Sequence, residues 1–205
     1  MKDISFVYEI TKKYSKDPKN DLTTLKLQKL AYYCYGAALA YDLDSEVEGI
    51  EFEAWKYGPV NRKVYNALKN LNAPYYKVET SHEAFQEIQN KEILFSPKLL
   101  DLISVILSVY GRLSPRSLVD ETHEETVNGL DNPWKLTYRE ETNNKLIDKK
   151  LIKNFFKQKF NNAEKRTYLP LGLFDYNSFL LDNIPIVAFE DIREVARYLE
   201  QEKTV

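Results

Sequence analysis

Few residues in this 205-residue chain have the types and spacing that catalysis needs. Asp120, His123 and Glu124 are three and four apart, so on a helix they share a face where a divalent metal could sit. The same run, Asp120-Glu121-Thr122-His123-Glu124-Glu125, also reads as the solvated acidic end of a helix. That reading is preferred, because the second histidine, His82, lies far away inside a polar stretch. Cys34 is the lone cysteine and sits among tyrosines and alanines. Without a neighbouring base it reads as a buried, inert thiol, and a single cysteine closes neither an internal disulfide nor a cysteine-based zinc cage. No glycine-rich phosphate loop is present. The chain is therefore read as non-enzymatic, with no cofactor and no metal.

Aromatic residues are abundant instead: 15 Tyr, 10 Phe and 2 Trp. Trp55-Lys56-Tyr57-Gly58-Pro59 places Trp and Tyr beside a Gly-Pro turn, and rigid aromatics at a turn are what protein-binding hot spots use. Trp55, Tyr57, Gly58 and Pro59 are thus candidate partner-binding residues, with Trp55 expected to be buried and Tyr57 nearer the surface. The alternative is that Trp55 packs into the core and Gly-Pro only sets a helix start. A second candidate is the block 145–166, which carries eight basic residues against two acidic ones and interleaves Phe155, Phe156 and Phe160. Lys153, Phe156 and Lys157 are its candidate contact residues. Such a block could bind nucleic acid through phosphates and base stacking. The spacing equally describes an amphipathic helix with Leu151, Ile152, Phe155, Phe156 and Phe160 inward and the lysines outward, and this reading is favoured. Residues 167–205 reverse the charge, with seven acids against three bases. The net charge of −2 hides both segments.

The elements that must position these residues are mostly helices. Gly58-Pro59, Ser96-Pro97, Ser114-Pro115 and Asn132-Pro133 each place proline after a capping residue, where its missing N–H costs nothing. Helices are expected over about 5–16, from after Asp21 to about Tyr41, 59–71, 97–110, 115–124 and 133–141, with a terminal helix over 190–201. From Leu30 onward the second helix is apolar all round and should be the hub of the core. Ile50 to Trp55 alternates with period two, as a short strand does. Gly111 stands where a helix C-cap belongs. The expected fold is mainly α: a compact multi-helix domain with one or two short β-strands over 1–143, and a C-terminal extension over 144–205. The N-terminus reads as a helix start rather than a signal peptide, and the apolar runs fall short of a membrane span. The expected location is cytoplasmic, with no membrane partner.

At three places the residues resemble a known family. Leu22-Thr23-Thr24-Leu25-Lys26-Leu27-Gln28-Lys29-Leu30-Ala31-Tyr32-Tyr33 is similar to the opening motif of the Panacea domain, which includes the SocA-like antitoxins and the phage-associated GepA-like proteins. Phe52-Glu53-Ala54-Trp55-Lys56-Tyr57-Gly58-Pro59-Val60 resembles the second motif. Leu113 to Leu118, Thr122-His123 and Asn132-Pro133-Trp134 resemble the third, although the stretch from Glu124 to Pro133 is longer than the family pattern. The resemblance implies a helical domain that neutralises a cognate protein toxin, encoded by the adjacent gene, by direct binding. It also implies an alternative, delivery of the toxin to a protease as an adaptor. The basic block, independently of the resemblance, offers another: repression of the chain's own operon or of a mobile element by DNA binding. Motif residues are expected to hold the shared fold, while partner choice lies in loops and the C-terminal segment.

Overall fold

A computed structural model of the chain describes residues 1–16, 21–68, 77–89, 95–140 and 144–161. Helix α1 (Lys2–Tyr14) begins three residues earlier than its spacing predicted and buries Phe6, Ile10 and Tyr14 along one stripe. Helix α2 (Thr24–Ala40) is capped by Thr23, whose side chain accepts a hydrogen bond from the Lys26 N–H at 3.2 Å. From Lys26 to Ala40 every residue of α2 is buried, as its all-round apolar sequence requires.

A hairpin follows, of β1 (Glu53–Trp55) and β2 (Gly58–Val60), and then α3 (Arg62–Leu68). A 3-10 turn at Glu83–Phe85 leads into the one-turn α4 (Gln86–Gln89). The remaining elements are α5 (Pro97–Tyr110), α6 (Pro115–Glu124), a small hairpin of β3 (Thr126–Val127) and β4 (Leu130–Asp131), α7 (Pro133–Thr137), β5 (Lys145–Leu146) and α8 (Lys149–Asn161). The chain is mainly helical, with its strands confined to two small sheets among the described residues. The larger has the order β2-β1-β5, antiparallel throughout. Helix α2 runs through the middle and packs on α1, α3, α5, α6, α8 and β2.

Three of the four expected Pro starts hold. The side chains of Ser96, Ser114 and Asn132 accept from the N–H groups of Leu99, Ser117 and Lys135. Gly58-Pro59 does not start a helix: both residues lie in β2, and Asn61 caps α3 by accepting from the Val64 N–H at 3.0 Å. Gly111 ends α5 with φ −61, not in the left-handed form, and its bare Cα makes room for Tyr14. The Tyr14 hydroxyl donates to the Gly111 carbonyl at 3.0 Å.

The basic block also differs from its expected pattern. Ile152, Phe155, Phe156 and Phe160 do face inward, but Leu151 is exposed. Lys159 turns inward, fully buried, with its ammonium on Glu125 and over the stacked rings of Tyr33 and Tyr110 at 4.7 and 5.0 Å. Burial alone lowers the Lys159 pKa, but the Glu125 carboxylate outweighs it and holds the group above its usual range. With β5 paired to β1 and α8 packed on α2, residues 144–161 share one core with the described residues before them. The division expected at 143/144 therefore does not coincide with a break in packing. The rest of the expected extension, including the helix over 190–201, lies outside the described residues.

Candidate functional site

The β1–β2 hairpin turns in two residues, Lys56 and Tyr57, neither of which takes positive φ. Gly58 supplies the left-handed residue instead, at φ +93. Space demands glycine there as well. A Cβ on Gly58 would stand 2.7 Å from Thr122 Oγ1 and 2.8 Å from Lys29 Nζ.

Those two neighbours belong to a set of side chains that grip the hairpin from behind. Lys29 Nζ donates to the Pro59 carbonyl at 2.9 Å. The Gln28 side chain pairs with the Asn61 backbone in both directions, at 3.2 and 2.8 Å. Asn61 Nδ2 then donates to Asp3 at 2.8 Å. Trp134 Nε1 donates to the Trp55 carbonyl at 2.8 Å, and its indole stacks on His123, 3.7 Å away and nearly parallel, and on Tyr138 at 4.8 Å. The three sequence motifs thus meet at one place, behind the turn.

The front is open. Ala54 faces inward, whereas Glu53 and Trp55 face out. The Trp55 ring is half-buried rather than buried, held between Arg62 at 5.4 Å and Tyr65 at 4.8 Å, with Nε1 donating to Glu53. Burial raises the Glu53 pKa, but hydrogen bonds from Arg62 and Trp55 outweigh it and hold the carboxyl below its ordinary value. At the tip Tyr57 is 62% exposed. Gly58 and Pro59 are buried, so their part is to shape the tip.

The second group of candidates is not brought to this place. Phe156 is fully buried against Tyr32 and Tyr33 and presents nothing to a partner. Lys153 pairs with Asp42 and Asp44, at 2.8 and 2.7 Å, and Lys157 with Asp42 at 3.0 Å. Acids of the turn after α2 therefore offset this cationic face. The residues weighed for metal and nucleophile chemistry have other tasks. Asp120 pairs with Arg116, His123 stacks on Trp134, and burial pushes the Cys34 thiol well up. Among the described residues no group of three or more His, Cys, Asp or Glu side chains is arranged to hold a metal. Nor is any helix of the described residues long and apolar enough to cross a membrane.

Composition hid the buried lysines. Lys29 looks like a surface residue in sequence, and its acceptor, the Pro59 carbonyl, is thirty residues away. Burial pulls its pKa from 10.5 to about 7. The unfolded chain then keeps a proton that the folded chain releases, so stability rises with pH above about 7 and is lowest below it. Burial and the Lys29 charge also lower the pKa of His123, which adds a change of the same sign at lower pH. The unfolding free energy from urea titrations is expected to climb between pH 6.5 and 8.5, by at most about 1.4 kcal/mol per pH unit from this lysine. The slope should flatten in Lys29→Met. An unchanged slope in that variant would remove Lys29 as its source.

Residues 27–128 match the family described as antitoxin SocA-like, Panacea domain. This stretch is a Panacea domain. The chain is also 27% identical over 158 residues to the protein named Antitoxin SocA from Caulobacter vibrioides (strain NA1000 / CB15N), covering 75% of this chain and 80% of that one. No solved structure matches. The Panacea match spans α2, the hairpin, α5, α6 and the first residues of the β3–β4 hairpin. It therefore contains the Gly58 turn together with Gln28, Lys29 and Thr122, and leaves α7 and α8 outside.

Proposed function

We propose that this chain is an antitoxin that neutralises a protein toxin by direct contact, and that Tyr57 is its anchor. The observation that carries the reading is the contrast across the hairpin: a backbone gripped from behind and a large aromatic left exposed at the tip. A rigid, preorganised aromatic loses little entropy on binding, which favours hot-spot behaviour. The likeness to an antitoxin supports the class of function. The role proposed is one of binding rather than catalysis, exercised in the cytoplasm on the product of the adjacent gene. Trp55 packs on Tyr65 at the outer face of the same hairpin, and Gly58 and Pro59 shape the turn that carries Tyr57. The nucleic-acid reading draws no support from Lys153 and Lys157, since both are engaged in ion pairs.

Co-expression with the adjacent reading frame tests this. The wild-type chain is expected to restore growth and to co-purify with the toxin. Tyr57→Ala should keep its urea midpoint, because the side chain is exposed, yet lose about 2 kcal/mol of binding, roughly thirtyfold in Kd. No rescue by the wild-type chain would end the antitoxin reading. Full affinity in Tyr57→Ala would end the anchor.

A further inference from the structure

A second surface feature lies on the far side of the sheet from β2, where residues 48–52 run beside residues 146–149. The two segments are joined by a hydrogen bond from the Ile147 N–H to the Phe52 carbonyl, at 2.9 Å. Between them is an open cleft of about 490 Å³. Its floor is aromatic: Tyr35 and Phe52 lie 5.3 Å apart and tilted. Ile50 and Leu146 form apolar walls, and Leu146 also projects outward beside the mouth.

Its polar groups share one tendency. Glu48 and Glu51 line the cleft, are exposed, and have neither an ion pair nor a hydrogen bond among the described residues. Asp148 lines it too and accepts from the Lys150 N–H at the start of α8. The one cation in the lining, Lys149, leans away to Asp44 at 3.5 Å. Tyr35 lines the cleft and is only 2% exposed, and its hydroxyl has no protein hydrogen-bond partner among the described residues. Burial, followed by the fields of Asp44 and Glu51, raises its pKa, so the phenol stays neutral. The hydroxyl is not sealed from solvent, unlike those of Tyr32, Tyr33 and Tyr110, so it is free to pair with what enters the cleft. Here it borders an open cleft with two unpaired carboxylates at the rim.

We propose that this cleft is a socket for an arginine side chain of a partner protein. The Tyr35 hydroxyl and the Glu48 and Glu51 carboxylates take the guanidinium, and Ile50, Phe52 and Leu146 enclose its methylene stem. Arginine suits these groups because its planar fork satisfies carboxylates in pairs and stacks on aromatic faces. A protein is favoured over a free cation by Leu146, which offers apolar contact next to the mouth. The socket is separate from Tyr57, and its test uses no toxin, so it can fail or hold whatever becomes of the antitoxin reading.

The probes are N-acetyl-arginine methylamide and its neutral isostere, N-acetyl-citrulline methylamide, titrated into the full-length chain while backbone amide shifts are followed by NMR. Saturable shifts at Gly49, Ile50 and Leu146 are expected with the arginine probe, with citrulline about tenfold weaker. Glu48→Gln/Glu51→Gln removes only exposed, unpaired carboxylates and should abolish the shifts while leaving the rest of the spectrum in place. Tyr35→Phe should weaken binding about fivefold. Equal binding of arginine and citrulline, shifts that survive the double Gln variant, or no shifts at all would each overturn the proposal.

Discussion

A chain ending at residue 143 is expected to lose cooperative unfolding altogether. The cut removes Ile147, Ile152, Phe155, Phe156 and Phe160, all buried in the common core, and uncovers the α8-facing side of α2. At about 1.5–3 kcal/mol for each such side chain, the loss is about 8–15 kcal/mol. That is as large as the whole stability of an ordinary domain. The cut also leaves Glu125 without Lys159. Urea titration followed by circular dichroism should show a shallow, featureless curve. In the full-length chain, Phe156→Ala should retain a sharp transition lowered by about 3–5 kcal/mol. A sharp transition in the truncated chain would show that α8 is an accessory rather than part of the core.

The second expectation runs against helix propensity. Replacing a glycine inside a helix by alanine ordinarily stabilises by about 1 kcal/mol. Gly36 sits inside α2, but a Cβ there would lie 2.6 Å from Cγ of Phe156 and overlap its ring. The backbone of α2 and the ring of α8 meet directly, with no space for a methyl group. Gly36→Ala should therefore destabilise by about 1–3 kcal/mol. The partner change decides the cause. In a Phe156→Ala background the ring is gone, and Gly36→Ala should become neutral or stabilising. If the two changes were simply additive, the contact would not be the reason.

These two residues show where sequence reasoning reaches and where it stops. Phe156 falls on the apolar stripe of its helix, so its burial follows from period alone, and the same period argues against its meeting a partner. Gly36 gives no local sign of its task, because the ring it accommodates is far along the chain. The helix starts at Ser96, Ser114 and Asn132 were readable since cap and proline are adjacent. Gly58-Pro59 carries the same pair of letters, yet the left-handed φ at Gly58 and the pairing of β2 with β1 override it. At the candidate site, the exposure of Tyr57 follows from its place in a turn. The grip behind it depends on Lys29, Gln28 and Trp134 reaching across long separations, which spacing cannot express. Lys159 failed for the same reason, as its partner Glu125 belongs to another element.

Helix α2 has no face that remains in water, and this governs the order in which the molecule can be made. Residues 24–40 leave the ribosome well before α8, which covers them and is complete only at residue 161. Roughly 120 residues must be translated in between, which takes about 6–24 s at about 5–20 residues per second. For that interval the nascent chain displays an apolar, tyrosine-rich helix to chaperones and proteases. Slowing synthesis between codons 40 and 161 should therefore lower the yield of intact protein more than the same delay placed after codon 161.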